Sequence, residues 1–103
     1  MGVYIPTPRD AQVSLVGDML MGRVVGLEVK RSGNGHIYRI RGPRRLMGSQ
    51  EPLLVLDGSP MSIALLNTLN PQDIAQVYIL RNATFYGSRG ANGVLVVTTR
   101  RRL

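Results

Sequence analysis

A wholly apolar run, Leu53 to Leu56, restricts the possible folds of this chain more than any other feature. Such a run is typical of a strand that is buried on both faces. Asp57-Gly58 follows it directly and is a turn sequence. Near the other end of the chain, Val94 to Thr99 is rich in β-branched residues and predicts a second strand. We therefore expect a fold organised around a β-sheet.

Two further strands are indicated by alternation of apolar and charged residues, one over Leu27 to Arg31 and one over Ile37 to Arg41. Ser32-Gly33-Asn34-Gly35 between them is a turn sequence. In the second strand, a period of two places Arg39 and Arg41 on one face, and Tyr38 and Ile40 on the other.

The remaining elements are another strand at Val77 to Leu80 and several short helices. Ser62 and Asn70 have the positions of helix N-caps. Thr7 to Asp10 has the form of a capping box, and apolar residues at helical spacing follow it, with Ser14 as an alternative cap. Gly17 and Gly22 each weaken that helix by roughly 1 kcal/mol. The fold class is therefore α+β, with a small mixed or antiparallel sheet of about four to five strands and short helices.

One domain spanning 1–103 is expected from the chain length of 103 residues. Within it, 1–12 forms an extended N-terminal arm and 100–103 a basic tail. The sequence has no cysteine, which excludes disulfides and thiolate chemistry. No apolar run approaches the length of a transmembrane helix, and the N-terminus has no apolar core of a signal peptide. If the protein is exported, we expect its signal to have been removed.

A formal net charge of +7 favours acidic partners such as nucleic acid, lipopolysaccharide or anionic lipid headgroups. Lys30 is the only lysine, so nearly all of the positive charge comes from arginine. A soluble domain with a charged but passive surface is the alternative explanation.

Six segments, in this order along the chain, resemble the plug domain of TonB-dependent outer-membrane transporters of the SusC/RagA type. The segments are Met21–Val29 (MGRVVGLEV), Arg39–Gly42 (RIRG), Gln50–Pro60 (QEPLLVLDGSP), Leu69–Ile74 (LNPQDI), Tyr86–Val94 (YGSRGANGV) and Val96–Arg100 (VVTTR).

This resemblance implies a plug-like fold, a non-catalytic role in transport or its gating, and a place in the periplasm or outer membrane. The family continues into a barrel of about twenty-two strands, which a chain of this length cannot build. We therefore expect either a separate module that binds an envelope protein or a β-barrel, or a domain of a longer transporter whose barrel continues the chain.

Five arginines are the predicted contacts for a partner or ligand, because the planar guanidinium suits phosphate and carboxylate. They are Arg39, Arg41, Arg44, Arg45 and Arg89. For the two strand arginines, a solvated strand face is an equally weighted alternative, and the resemblance tips the interpretation towards contact with a polar barrel wall.

A second group of residues is assigned a structural role in the family motifs: Gly42, Asp57, Gly58, Tyr86, Gly87, Gly90, Asn92 and Gly93. The glycine-rich loop at 87–93 lacks the pattern of a nucleotide-binding loop and is interpreted as a tight connection that needs positive φ. Asp57 is interpreted as a turn residue, with cation binding or pairing to an arginine such as Arg41 or Arg89 as the alternatives.

Catalysis and cofactor binding have no support in the sequence. The carboxylates are scattered, and His36, the only histidine, lies in a polar turn and is interpreted as solvated. We expect no enzyme activity, no cofactor and no metal site.

The alternative function is a small basic nucleic-acid-binding domain, although the aromatic residues follow no RNA-binding motif. We also expect weak self-association through a sheet edge if Leu95 to Val97 is exposed at one.

Overall fold

The computed structural model describes residues 2–41, 51–81 and 91–100. The described strands are β1 (Leu27–Ser32), β2 (Gly35–Ile40), β3 (Leu53–Leu56), β4 (Ser59–Met61), β5 (Ile74–Leu80) and β6 (Val94–Thr99). Within the described ranges, a 3-10 helix, Asp10–Gln12, and an α-helix, α1 (Val16–Leu20), precede β1. Two further 3-10 helices, Ile63–Thr68 and Pro71–Asp73, lie between β4 and β5.

Strands β3 to β6 form a four-stranded sheet in the order β4-β3-β6-β5. The two central strands run parallel, with Leu54 opposite Leu95, and both outer pairs are antiparallel. Leu54 and Leu95 are completely buried, as expected for strands covered on both faces. The predicted α+β fold with a mixed sheet is therefore confirmed.

Strand β6 lies at the centre of this sheet, so Leu95 to Val97 is not the exposed edge that the self-association argument considered. The two edges are β4, which has three residues, and β5. Self-association remains a prediction, and it would have to use one of these two strands.

The strands β1 and β2 pair with each other as a separate antiparallel hairpin, with Glu28 opposite Arg39. Gly33, at φ +56°, provides the left-handed conformation that its two-residue turn requires. Along β2, His36, Tyr38 and Ile40 are buried, whereas Arg39 is exposed. The predicted separation of the two faces is confirmed.

The N-terminal segment is only partly extended, because Asp10–Gln12 forms a 3-10 turn. The capping box is present: the Asp10 amide donates to Thr7 Oγ1 and the Thr7 amide donates to Asp10 Oδ2, both at 3.1 Å. Helix α1 has only five residues, and its N-cap is Leu15 rather than Ser14. The two predicted caps at Ser62 and Asn70 are confirmed, since each side chain accepts an amide hydrogen bond.

One core connects the sheet, the hairpin and the helices. Its fully buried members include Met19 and Leu20 from α1, Ile40 from β2, Leu66 from a 3-10 helix and Leu95 from β6. Truncating any one of these side chains to alanine is expected to cost about 2–5 kcal/mol. The core thus fixes the position of the hairpin and of the arginines that it carries.

Candidate functional site

The outer face of the hairpin carries Glu28, Lys30, Ile37, Arg39 and Arg41, and we call it the arginine face. Because strand residues alternate between faces, Arg39 and Arg41 lie side by side, and Arg39 is directly opposite Glu28. The Arg41 Nε atom is 3.2 Å from Glu28 Oε2, and an Arg39 terminal nitrogen is 4.0 Å from Glu28 Oε1. One carboxylate therefore lies between two guanidinium groups.

These ion pairs remain open to solvent, because the side chains of Arg39 and Arg41 are 45 % and 69 % exposed. Pairs this exposed contribute at most about 1 kcal/mol each to stability. An acidic partner can therefore replace or share the Glu28 contact at small cost, and the exposed guanidinium forks suit a partner's carboxylates.

The inner face of the hairpin contains His36, and the interpretation of this residue as a solvated turn residue is wrong. Its side chain is fully buried, and Nε2 lies 2.9 Å from Asp18 Oδ1. The other Asp18 oxygen accepts from Arg31 at 3.0 Å. Both hydrogen bonds lower the pKa of Asp18, and the one from Arg31 has the larger effect.

Close packing around His36 fixes the hairpin to the rest of the domain. A Cβ atom on Gly17 would lie 2.2 Å from the His36 ring, so only glycine leaves room for the imidazole. The His36 amide donates to Asn67 Oδ1 at 3.0 Å. Helix α1 and the 3-10 helix Ile63–Thr68 therefore both hold β2 in place. Sequence reasoning missed this contact, although the period of two along β2 places His36 on the buried face with Tyr38 and Ile40.

Asp57 and Gly58 form the tight turn between β3 and β4, with φ of +48° and +88°. The Asp57 carboxylate accepts from the Thr99 amide at 2.8 Å and from the Thr99 hydroxyl at 2.5 Å. The turn is thereby tied to the end of β6.

Asn92 and Gly93 lie immediately before β6. The buried Asn92 amide donates to the Glu51 carbonyl at 3.1 Å. Gly93 has φ +90°, and its carbonyl accepts from the Leu53 amide at 3.0 Å. Through these two hydrogen bonds, Asn92 and Gly93 link the start of β6 to the start of β3.

Several predicted site residues lie outside the described residues. These are Gly42, Arg44, Arg45, Tyr86, Gly87, Arg89 and Gly90. The described part of the predicted arginine cluster therefore consists of Arg39 and Arg41.

In the described ranges, no group of three or more His, Cys, Asp or Glu side chains has an arrangement that could hold a metal ion. Across 2–41, 51–81 and 91–100, no helix combines the length and apolar character required to cross a bilayer.

Comparison with known proteins identifies the family. The model of the TonB-dependent receptor plug domain matches residues 7–94. TonB-dependent receptor P26 of Formosa agariphila is 42 % identical over 96 residues, covering 85 % of this chain and 10 % of that protein. TonB-dependent receptor SusC of Bacteroides thetaiotaomicron is 36 % identical over 98 residues, covering 82 % of this chain and 10 % of that protein. The chain therefore belongs to the plug-domain family of TonB-dependent receptors.

Solved structures place it near the SusC/RagA-like members of this family. A chain of the RagAB peptide importer in its open-open state superposes with a TM-score of 0.75 at 30 % identity, covering 96 % of this chain and 12 % of that one. The siderophore receptor PirA from Pseudomonas aeruginosa superposes with a TM-score of 0.64 at 29 % identity, covering 99 % of this chain and 19 % of that one. The chain spans about one tenth of the length of the curated relatives that it matches. The family is one of transport receptors, and nothing in these comparisons supports the nucleic-acid alternative.

Proposed function

We propose that this domain closes the lumen of an outer-membrane β-barrel and acts as the gate of a TonB-dependent transporter. Support comes from the family match over residues 7–94 and from the overlap with the RagAB importer chain across 96 % of the domain. The barrel belongs either to a continuation of this chain or to a separate chain. The protein would act in the outer membrane, with no catalytic step of its own.

We further propose that the arginine face is the part of the domain that contacts acidic side chains on the barrel wall. The observation that carries this step is the pair Arg39 and Arg41, both exposed and sharing the single carboxylate of Glu28. In a narrow polar lumen with little water, such charge pairs are stronger than on an open surface. The buried His36 contact keeps the hairpin fixed, so the strand that carries both arginines is held in place before the barrel is met.

The test is binding of the chain to a detergent-solubilised barrel of a SusC-like receptor from which the plug has been deleted. We expect saturable binding that the double variant Arg39→Gln/Arg41→Gln weakens by about tenfold or more, because charge-assisted pairs are lost. The matched control is Arg9→Gln/Arg100→Gln, which removes the same charge from exposed residues outside the hairpin. We expect the control to change affinity by less than about twofold.

Two results would count against this assignment. Equal losses in the two double variants would mean that only net charge matters. Absence of binding by the wild-type chain to any such barrel would remove the gating proposal itself.

A further inference from the structure

The outer edge of β5 is only partly covered by the N-terminal arm. Tyr4 forms a bridge with Val77: the Tyr4 amide donates to the Val77 carbonyl at 2.8 Å, and the Val77 amide donates to the Tyr4 carbonyl at 2.9 Å. Because backbone groups alternate in direction along an antiparallel strand, the N–H and C=O of Ile79 face the same outer side. Among the described residues, no backbone group outside the sheet hydrogen-bonds to that side of Ile79.

A groove with a volume of about 540 Å³ lies between this edge, the arm and the segment before β1, and we call it the edge groove. Its lining is mostly apolar and includes Ile5, Val25, Ile79 and two arginines, Arg23 and Arg81. Val25 is 89 % exposed and Ile5 is 65 % exposed, and exposed apolar side chains that line one groove together are typical of a binding surface. The groove therefore offers apolar contacts beside unpaired backbone groups.

The charge in the edge groove comes from two arginines with different surroundings. Arg23 is paired with Asp10 at 3.3 Å and also donates to the Met19 carbonyl. Arg81 extends over Gly26, where a Cβ atom would lie 2.3 Å from its Nη2. Its Nε is buried and has no hydrogen-bond partner among the described residues, which is rare for a buried polar atom. The edge groove is thus lined by an arginine whose guanidinium group has one unsatisfied donor.

From these observations we propose that the edge groove binds an extended acidic segment of a partner protein. The segment's backbone pairs with Ile79 as an added strand, its alternate side chains lie on the apolar lining, and one of its carboxylates pairs with Arg81. Addition of a strand to an open sheet edge supplies affinity through main-chain hydrogen bonds and specificity through alternate side chains. The carboxylate is the natural complement of an unpaired guanidinium group. This site is distinct from the arginine face and does not depend on the gating proposal.

The test uses the full chain labelled with ¹⁵N and a capped pentapeptide, acetyl-Val-Thr-Val-Glu-Val-amide. We expect saturable shifts of the Ile79, Leu80 and Arg81 amides and slowed hydrogen exchange at Ile79. Replacing the glutamate by glutamine, or introducing Arg81→Gln, should each weaken binding by about tenfold, and the combination should add little further loss. A peptide with proline at its central position should not bind, because it cannot complete the strand.

The control Arg100→Gln removes the same charge from an exposed residue outside the edge groove and the hairpin, and it should leave peptide affinity unchanged. Arg81→Lys, which keeps the charge without the planar fork, should retain part of the affinity, and it replaces Arg81→Gln if that variant fails to fold. No saturable shift at Ile79 up to about 1 mM peptide would overturn the proposal. Equal binding of the proline peptide, or shifts confined to the hairpin, would also overturn it.

Discussion

Substitution of Gly17 by alanine is expected to destabilise the domain, although the same change normally stabilises a helix. Gly17 lies in α1, where alanine would gain about 1 kcal/mol from helix propensity. Its added Cβ would meet the His36 ring at 2.2 Å, and the ring is fully enclosed. The imidazole must therefore move and lose its hydrogen bond to Asp18.

The expected net cost is about 1.5–5 kcal/mol. Overpacking costs about 1–3 kcal/mol, and a lost hydrogen bond to a charged group about 1.5–3 kcal/mol, against which the helix gain is small. For a domain of this size, each 1 kcal/mol lowers the melting temperature by about 4–8 °C. Urea denaturation followed by far-UV circular dichroism would measure the change, since the protein has no tryptophan.

A double-mutant cycle isolates the contact. In a His36→Ala background the ring is absent, so Gly17→Ala should be neutral or stabilising by up to about 1 kcal/mol. A neutral or favourable effect of Gly17→Ala in the wild-type background would refute the reasoning. So would the same penalty in both backgrounds, because the cost could not then come from the imidazole.

Three further predictions concern stability, each measured by chemical denaturation. Asp57→Ala should cost about 2–3 kcal/mol of stability, because it removes both hydrogen bonds to Thr99 and places alanine at φ +48°. Asp57→Asn should cost less, and equal costs for the two variants would contradict this explanation. Tyr38→Phe should leave stability unchanged or raise it by about 1 kcal/mol, because the buried Tyr38 hydroxyl, whose pKa burial raises to about 12, has no hydrogen-bond partner in the described part of the chain. A clear loss of stability would show that this hydroxyl is hydrogen-bonded in the folded protein. Hydrogen bonds lower the pKa of Asp10 and Asp18 in the folded state. Their contribution to stability should therefore be complete above the unfolded pKa near 3.8 and be lost as the pH falls through the lower folded values. If Asp18→Asn lost stability on acidification as steeply as the wild type, Asp18 would not contribute to this loss.

The strand positions could be predicted because each rests on a local pattern. The apolar run of β3, the β-branched run of β6 and the alternation in β1 and β2 are visible within a few residues. The caps at Thr7, Ser62 and Asn70 are likewise short-range hydrogen bonds. Arg39 and Arg41 were placed together because their spacing matches the period of a strand.

Strand β4 was missed because nothing in Ser59-Pro60-Met61 resembles a strand. All three residues are exposed, and proline is tolerated there only because β4 is an edge. The strand exists because the Asp57-Gly58 turn sends the chain directly back along β3.

The environment of His36 could not be derived from neighbouring residues. Its partners Asp18 and Asn67 are 18 and 31 positions away, and only the tertiary fold brings them together. The pairing of Tyr4 with Val77 is non-local in the same way, so the sequence predicts an extended arm without indicating the strand that it pairs with.

Closure of a barrel of its own receptor class by this domain can be measured as single-channel conductance across a planar bilayer that contains a plug-deleted SusC-like barrel. We predict that adding the chain blocks the open pore, and that Arg39→Gln/Arg41→Gln shortens each block relative to Arg9→Gln/Arg100→Gln. An unchanged conductance at saturating chain concentration would contradict the account.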